Sequence, residues 1–129
     1  MKAARIIFAI AAVYGIAVLT PGLFIESSGA LAFLELSNPE YYYGFYGSAL
    51  VWQLGFLLIA SDPIRYRPLM LIAVLEKAAF FGACLWLWQA GRLGSASGPF
   101  IGGLIDGGLM LAFAAAWSLT PRHPKGDPT

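Results

Sequence analysis

Residues 43–90 consist of two long apolar runs, YGFYGSALVWQLGFLLIA and LMLIAVLEKAAFFGACLWLWQA, joined by the short segment SDPIRYRP. A helix rises about 1.5 Å per residue, so crossing about 30 Å of hydrocarbon requires roughly 20 mainly apolar residues. Both runs meet this requirement, and two further runs in the chain do so as well. The sequence therefore predicts four membrane-spanning helices, at about residues 6–25, 43–60, 69–90 and 100–119.

The composition of the whole chain supports the same class of protein. Of the 129 residues, 59% are hydrophobic and only 12% are charged, whereas soluble domains carry about 25% charged residues. The mean hydropathy is +0.72. We expect an all-α integral membrane protein with one four-helix transmembrane domain at residues 1–120 and a disordered cytoplasmic tail at 121–129.

The scarcity of reactive side chains limits the chemistry that the chain can perform. It contains one cysteine, Cys84, and one histidine, His123, so an intramolecular disulfide and a His/Cys metal site are excluded. The net charge of +1 comes from scattered residues, which gives no support for nucleic-acid binding. No phosphate-binding loop or Ser/His/acid set is present. We expect no catalytic residues, metal or cofactor, and the pattern favours a non-enzymatic protein.

The first span has two interpretations. Lys2 and Arg5 before an apolar run also fit a signal peptide, with Ser28 and Ala30 at a small-residue cleavage site. The apolar run is long for the hydrophobic region of a signal peptide, so we expect it to remain as a helix.

The distribution of Lys and Arg predicts the orientation of the four spans. One side carries six basic residues: Lys2, Arg5, Arg65, Arg67, Arg122 and Lys125. The other side carries Arg92 alone, together with the acidic Glu26, Glu35 and Glu40. Because basic loops stay in the cytoplasm, both termini should be cytoplasmic. Aromatic residues at the predicted interfaces agree with this topology: Tyr41, Tyr42, Tyr43, Trp86 and Trp88 outside, and Tyr66 and Trp117 inside.

The first outer loop contains the apolar stretch Gly29–Leu36 (GALAFLEL), which is too short to cross a membrane. We expect a short interfacial turn or helix there. It either covers the outer ends of the helices or acts as a lid over a ligand.

Five polar residues fall inside the predicted spans: Tyr14, Gln53, Glu76, Lys77 and Asp106. A charged side chain near the bilayer centre costs about 2.5–3.5 kcal/mol on insertion scales, so each charge needs a partner, a proton or water. Lys77 in the third span is the natural partner of Asp106 in the fourth. We predict that these two residues are coupled, directly or through one water.

Glu76 is harder to place. Neighbours in a helix point about 100° apart, which predicts that Glu76 and Lys77 do not neutralise each other face to face. The remaining options are an ion pair with Arg5, Arg65 or Arg67, hydrogen bonds with Tyr14 or Gln53, or protonation. The cluster either fixes the register of the helices or forms a proton or ligand site.

Small residues indicate where helices approach closely. In the fourth span they are Gly103, Gly107, Gly108, Ala112 and Ala116, and in the second span Gly44, Gly47, Ser48 and Gly55. Packing within one bundle and homodimerisation both remain open. Pro21 should end or kink the first helix, and Cys84 should be a buried apolar residue rather than a reactive thiol.

The stretch from Tyr43 to Lys77 resembles the second and third helices of small bacterial four-helix membrane proteins of the DoxX-like kind. Those proteins join a glycine-containing second helix to an Asp-Pro-x-Arg-Tyr/His-Arg-Pro turn, with a Lys in the third helix and an Asp in the fourth. The matching positions are Gly47, Asp62, Pro63, Arg65, Tyr66, Arg67, Pro68, Lys77 and Asp106. Glu76 departs from the pattern, because a small residue is expected there. The resemblance implies a four-helix bundle in a bacterial cytoplasmic membrane.

Two functions are compatible with these features. The first is a non-enzymatic accessory or binding protein that holds a lipid-like ligand or a partner membrane protein. The alternative is a small transporter or proton-coupled membrane redox component that uses Glu76, Lys77 and Asp106. In either case we expect Arg65 and Arg67 at the inner interface, contacting lipid phosphates or the ends of neighbouring helices.

Overall fold

The computed structural model describes residues 2–24, 39–95 and 98–122. All regular elements in these ranges are helices: α1 (Lys2–Phe24), α2 (Pro39–Ser61), α3 (Arg67–Gln89) and α4 (Gly98–Leu119). Each helix is long and apolar enough to cross a membrane, so the all-α four-helix prediction is confirmed. The Gly29–Leu36 segment, His123 and the tail from residue 123 onward lie outside the described residues.

All four helices begin a few residues earlier than predicted, and the reason is visible at the N-termini of α2 and α3. Proline fits the first turn of a helix, because that turn does not use its backbone N–H groups internally. Pro39 and Glu40 accordingly open α2, and Pro68 lies in the first turn of α3. Pro21 does not end α1, which continues to Phe24; that part of the prediction is wrong.

The two described turns have specific stabilising contacts. Between α2 and α3, the Asp62 carbonyl accepts the Tyr66 N–H at 3.1 Å and its Oδ1 accepts the Arg65 N–H at 3.3 Å. After α3, Gly91 adopts a left-handed φ of 73°. Its N–H donates to the Trp88 carbonyl and the Arg92 N–H to the Leu87 carbonyl, which is the Schellman pattern that closes a helix.

The four helices form two closely packed pairs. α1 packs most extensively against α2, and α3 against α4. The two pairs meet mainly through α1 and α4, and α2 makes only a small contact with α3. The connection of α2 to α3 and the Arg67 contact with the end of α4 place Lys2, Arg5, Arg65, Arg67 and Arg122 at one end of the bundle, the basic end.

Glycines allow the close approach within each pair. A Cβ at Gly103 would lie 2.7 Å from the Cβ of Cys84, and one at Gly107 2.8 Å from a ring carbon of Phe81, so these two glycines of α4 contact α3 as predicted. The prediction is wrong for Gly108, where an added Cβ would meet nothing within 4 Å. The predicted α2 face is wrong as an interhelical contact. A Cβ at Gly44 or Gly47 would meet nothing within 4 Å, and one at Gly55 would meet only Trp52 of its own helix.

The buried core lies toward the basic end. It consists mainly of alanines and phenylalanines, together with one isoleucine and one methionine, from all four helices: Ala4, Phe8, Ala11, Ala12, Phe56, Ile59, Ala60, Met70, Ala73, Phe113 and Ala116. Large apolar side chains also cover the outside of the bundle; Ile10, Leu75 and Leu111 are each more than 60% exposed. Such a surface is a liability in water and indicates a multi-pass membrane protein.

Candidate functional site

A cavity of about 570 Å³ separates the two helix pairs in the half of the bundle away from the basic end. All four helices contribute to its lining: Ala11, Tyr14, Gly15, Val18, Leu19, Phe45, Tyr46, Ala49, Gln53, Glu76, Lys77, Phe80, Gly102, Asp106 and Leu109. All five polar residues predicted inside the spans are in this set. The structure therefore brings them together around one space.

Lys77 lies at the centre of a charged group that it forms with Glu76 and Asp106. Its Nζ is 3.5 Å from Oδ1 of Asp106, which joins α3 to α4 as predicted. The Lys77 side chain is 8% exposed and the Asp106 side chain 20%. Nζ also lies 5.3 Å from the ring centre of Phe56, a distance at which an aromatic face attracts a cation.

Glu76 and Lys77 form an ion pair, so the prediction that they do not neutralise each other face to face is wrong. Lys77 Nζ is 3.7 Å from Glu76 Oε2. The Cβ atoms of these neighbouring residues leave the helix about 100° apart, which by itself would keep the two charges separate. The long, flexible stem of Lys77 brings its ammonium group to both carboxylates.

The other partners suggested for Glu76 are not used. Within the described residues, Glu76 forms no ion pair with Arg5, Arg65 or Arg67. Oε2 is fully buried and has no hydrogen-bond partner there, so neither Tyr14 nor Gln53 donates to it. A buried acceptor without a donor is costly, by about 1–3 kcal/mol and more for a charged group. Glu76 thus has one ammonium neighbour and an unfilled hydrogen-bonding capacity at the cavity.

Gln53 and Tyr14 have different surroundings. Gln53 is 1% exposed, and its Nε2 donates to the Ala49 carbonyl of its own helix at 2.8 Å. Its Oε1 packs against Gly15, where an added Cβ would overlap it. Tyr14 lines the cavity and is 39% exposed. Gly15 was not among the small residues singled out in the sequence, although it is what lets Gln53 lie between α1 and α2.

Three phenylalanines close the cavity toward the basic end. Phe8 and Phe113 stack with ring centres 4.3 Å apart, and Phe56 packs edge-on against Phe113 at 5.0 Å. All three side chains are fully buried. Sequence reasoning missed this cluster because every helix is apolar on all sides, which leaves no pattern that marks the inner face.

Arg67 connects the basic ends of α3 and α4. Its Nε donates to the Thr120 carbonyl at 2.9 Å, and its guanidinium lies 4.3 Å from the centre of the Trp117 ring. Contact with the end of a neighbouring helix was one of the two predicted roles. Arg65 is exposed and lies over the ring of Tyr66, at 5.4 Å.

Among the residues that the structure describes, no group of three or more His, Cys, Asp and Glu side chains could hold a metal ion. Cys84 is buried and faces Gly103.

Comparison with known proteins finds no matching protein family, no matching curated protein and no matching solved structure. The class of protein therefore rests on its own features: a four-helix bundle, four helices able to cross a membrane, and a charged cluster in an interhelical cavity. The resemblance to DoxX-like proteins stays a prediction.

Proposed function

We propose that the protein is a non-enzymatic membrane protein that binds a lipid-like amphiphile in the cavity between its helix pairs. The observation that carries this proposal is the shape and chemistry of the cavity. Binding sites for small molecules typically measure about 300–1,000 Å³ and combine mainly apolar walls with a few polar groups. The cavity of about 570 Å³ has this composition.

The polar and apolar parts of the cavity are arranged as an amphiphile requires. Val18, Leu19, Phe45 and Phe80 supply apolar surface for a hydrocarbon chain. The charged group at Lys77 offers hydrogen-bonding groups to a polar head. A ligand with both parts satisfies both surfaces at once, whereas a purely polar or a purely apolar ligand satisfies only one.

A binding function also agrees with the tight packing of the half of the bundle nearest the basic end, which we call the closed half. Toward the basic end the lining stops at Ala11, Gln53, Glu76 and Leu109, and the buried layer of Phe8, Phe56 and Phe113 follows directly along the helices. A ligand can therefore rest in the cavity, and its passage to the basic end would require this aromatic layer to separate.

A cavity-filling substitution tests the proposal. Gly102 lines the cavity, and a Cβ there would make only an ordinary contact with Phe80, at 3.9 Å. In Gly102→Leu the larger side chain should occupy ligand space without straining the helix. Native mass spectrometry in mild detergent should show one decanol molecule per wild-type chain and at least about tenfold weaker binding to this variant, equivalent to about 1.4 kcal/mol.

Gly108→Leu is the matched control in the same helix. Gly108 is exposed, has no atom within 4 Å of an added Cβ, and does not line the cavity. Its decanol binding should equal that of the wild type. Equal loss in both variants, or no saturable binding to the wild type, would exclude the cavity as the binding site.

A second candidate function is a small transporter or a proton-coupled membrane redox component. The observation in its favour is that the cavity reaches Asp106 and includes Glu76 and Lys77, since ionisable groups inside a membrane often serve transport. Proteoliposomes containing a pH-sensitive dye distinguish the two candidates. When decanol or decylammonium is added at equal pH, a binding protein should give the same change in internal pH as protein-free vesicles, in which free decylamine crosses the bilayer unaided. Proton-coupled transport should produce a further change that depends on the protein.

We further propose that the bundle lies in a bacterial cytoplasmic membrane with its basic end and both termini in the cytoplasm. The excess of Lys and Arg at that end supports this orientation. Cysteines introduced at Ser28 and Ser97 should react with an impermeant thiol reagent from outside the cell, and one at Pro124 should not. Reaction only at Pro124 would reverse the orientation.

A further inference from the structure

We propose that the cavity selects amphiphiles whose head group is a protonated amine, with Glu76 as the residue that receives it. This inference rests on the proposed function and specifies the chemical class of its ligand. It follows from the charges around the cavity, the unfilled capacity of one oxygen atom and the character of the nearby walls.

The charged residues of the lining do not balance. Glu76 and Asp106 contribute two carboxylates, and Lys77 contributes one ammonium group. With all three groups ionised, the sum is one negative charge. The other lining residues in the described part of the chain carry no formal charge, so a ligand with one positive charge would neutralise this part of the cavity.

Hydrogen bonding identifies Glu76 as the receiving residue. Lys77 Nζ is 3.5 Å from the nearest Asp106 oxygen and donates to it, but it lies 3.7 Å from Glu76 Oε2 and makes no hydrogen bond there. Oε2 therefore remains buried with no donor among the described residues. The Glu76 side chain as a whole is 21% exposed and lines the cavity. A protonated amine in the cavity would meet the carboxylate on its exposed side, and rotation of the carboxylate about its last torsion would bring Oε2 to the N–H donors of the amine.

The same geometry disfavours an anionic ligand. Lys77 is the only cation in the described lining, and two carboxylates already lie within 3.7 Å of its Nζ. An anionic head group approaching Lys77 would meet both of these carboxylates, and like charges at such distances repel strongly where the effective dielectric constant is low.

The walls are suited to a lipophilic cation. Tyr14, Phe45, Tyr46 and Phe80 present aromatic rings to the cavity, and ring faces attract ammonium groups. Phe45 and Phe80 approach with ring centres 5.2 Å apart, so α2 and α3 together provide a surface for an alkyl chain.

Four probes of equal chain length test the selection: decylammonium, decyltrimethylammonium, decanol and decyl sulfate. Native mass spectrometry of the wild-type protein should rank decylammonium first and decyl sulfate last. Hydrogen bonds to charged groups are stronger than neutral ones, so decylammonium should bind on the order of tenfold tighter than decanol. Decyltrimethylammonium has the charge but no N–H group and should fall between them.

Glu76→Gln tests the residue itself. The substitution keeps the size of the side chain and removes its charge, so decylammonium affinity should fall at least about tenfold while decanol affinity stays within about threefold. Glu40→Gln removes an exposed carboxylate outside the lining and should leave both affinities unchanged. Retained decanol binding also shows that the Glu76→Gln variant is folded.

The outcomes separate this inference from the proposed function. If decanol and decylammonium bind equally, and both are lost in Gly102→Leu but not in Gly108→Leu, the cavity binds amphiphiles without selecting amines and the inference is wrong. Stronger binding of decyl sulfate than of decylammonium also overturns it. If Glu76→Gln does not fold, the ranking of the four probes on the wild-type protein still decides the question.

Discussion

The two halves of the bundle are built from the same helices and differ in how the helix pairs meet. Toward the basic end, Phe8 of α1 stacks on Phe113 of α4, Phe56 of α2 packs edge-on against Phe113, and together they fill the space between the pairs. Toward the other end the pairs separate around about 570 Å³. One half therefore holds the bundle together, and the other half can accept a ligand.

The positions of the glycines explain the difference. In the open half, Gly15 and Gly22 of α1 lie against Gln53 and Tyr46 of α2. On the opposite side, Gly103 of α4 lies against Cys84 of α3. These contacts draw helices together within each pair and not between the pairs. No hydrophobic force draws helices together in lipid, so the surfaces that associate are those that can approach closely. The glycines provide such surfaces within each pair, and space remains between the pairs.

The largest expected effect on stability comes from removing a charged side chain from the group formed by Glu76, Lys77 and Asp106. Lys77→Met leaves two carboxylates without their cation, and loss of one partner of a buried pair typically costs about 3–5 kcal/mol. Asp106→Leu leaves Lys77 with Glu76 at 3.7 Å and should cost less. The double variant should lose less than the sum of the single losses. Unfolding by sodium dodecyl sulfate in mild detergent measures all three.

Strictly additive losses in that double-mutant cycle would show that Lys77 and Asp106 do not interact. The charged group would then contribute nothing to the association of α3 with α4, and the 3.5 Å contact would have no energetic consequence.

The second largest effect on stability is expected from truncating an aromatic side chain, and its size should differ between the two halves. Phe113→Ala leaves a void in the closed half and should cost about 3 kcal/mol, near the lower end for buried phenylalanine because lipid removes the aqueous part of the penalty. Phe45→Ala, at a residue 45% exposed at the cavity, should cost less than about 1 kcal/mol. Equal losses in the same unfolding experiment would mean that the halves are equally packed.

Two adjacent glycines test the close approach of α3 and α4. A Cβ at Gly107 would lie 2.8 Å from the Phe81 ring, whereas one at Gly108 would meet nothing. Gly107→Ala should therefore destabilise the bundle by about 1–2 kcal/mol through overpacking. Gly108→Ala should be neutral or slightly stabilising, since alanine favours helix. Destabilisation of Gly108→Ala alone would place a contact on the opposite face of α4.

The smallest effect concerns the basic end. Arg67→Lys keeps the charge but loses the planar group that lies over Trp117 and donates to the Thr120 carbonyl; a loss of about 1 kcal/mol is expected. Arg65→Lys, at an exposed position, should change stability by less than about 0.5 kcal/mol. A larger loss of stability in Arg65→Lys than in Arg67→Lys would show that Arg65 is the residue that stabilises this end of the bundle.

The sequence allows prediction of the helices and of one ion pair, for definite physical reasons. Runs of roughly 20 apolar residues identify membrane spans without knowledge of their packing. The cost of isolated charges requires Lys77 and Asp106 to have partners. Both inferences depend on the solvent and not on the detailed arrangement of the helices.

Packing between the helices could not be predicted in the same way. An amphipathic helix in water reveals its buried face by its pattern, but here the exposed Leu75 and the buried Phe56 are equally apolar. Small residues alone did not identify the contacting faces of the helices either. Gly44 and Gly47 have open surroundings, while Gly15 and Gly22 make the close contacts. The cavity and the aromatic layer below it emerge only when all four helices are placed together.

Photolabelling with a ten-carbon amine that carries a diazirine at the end of its chain tests the central claim most directly, because it reports which half accepts a ligand. Adducts are expected on residues that line the cavity, such as Tyr14 and Tyr46, and excess decylammonium should suppress them. Residues of the closed half, such as Phe8 and Phe113, should remain unlabelled. Adducts confined to outward-facing side chains such as Ile10 and Leu75, unaffected by the competitor, would contradict the claim that the open half is a binding site.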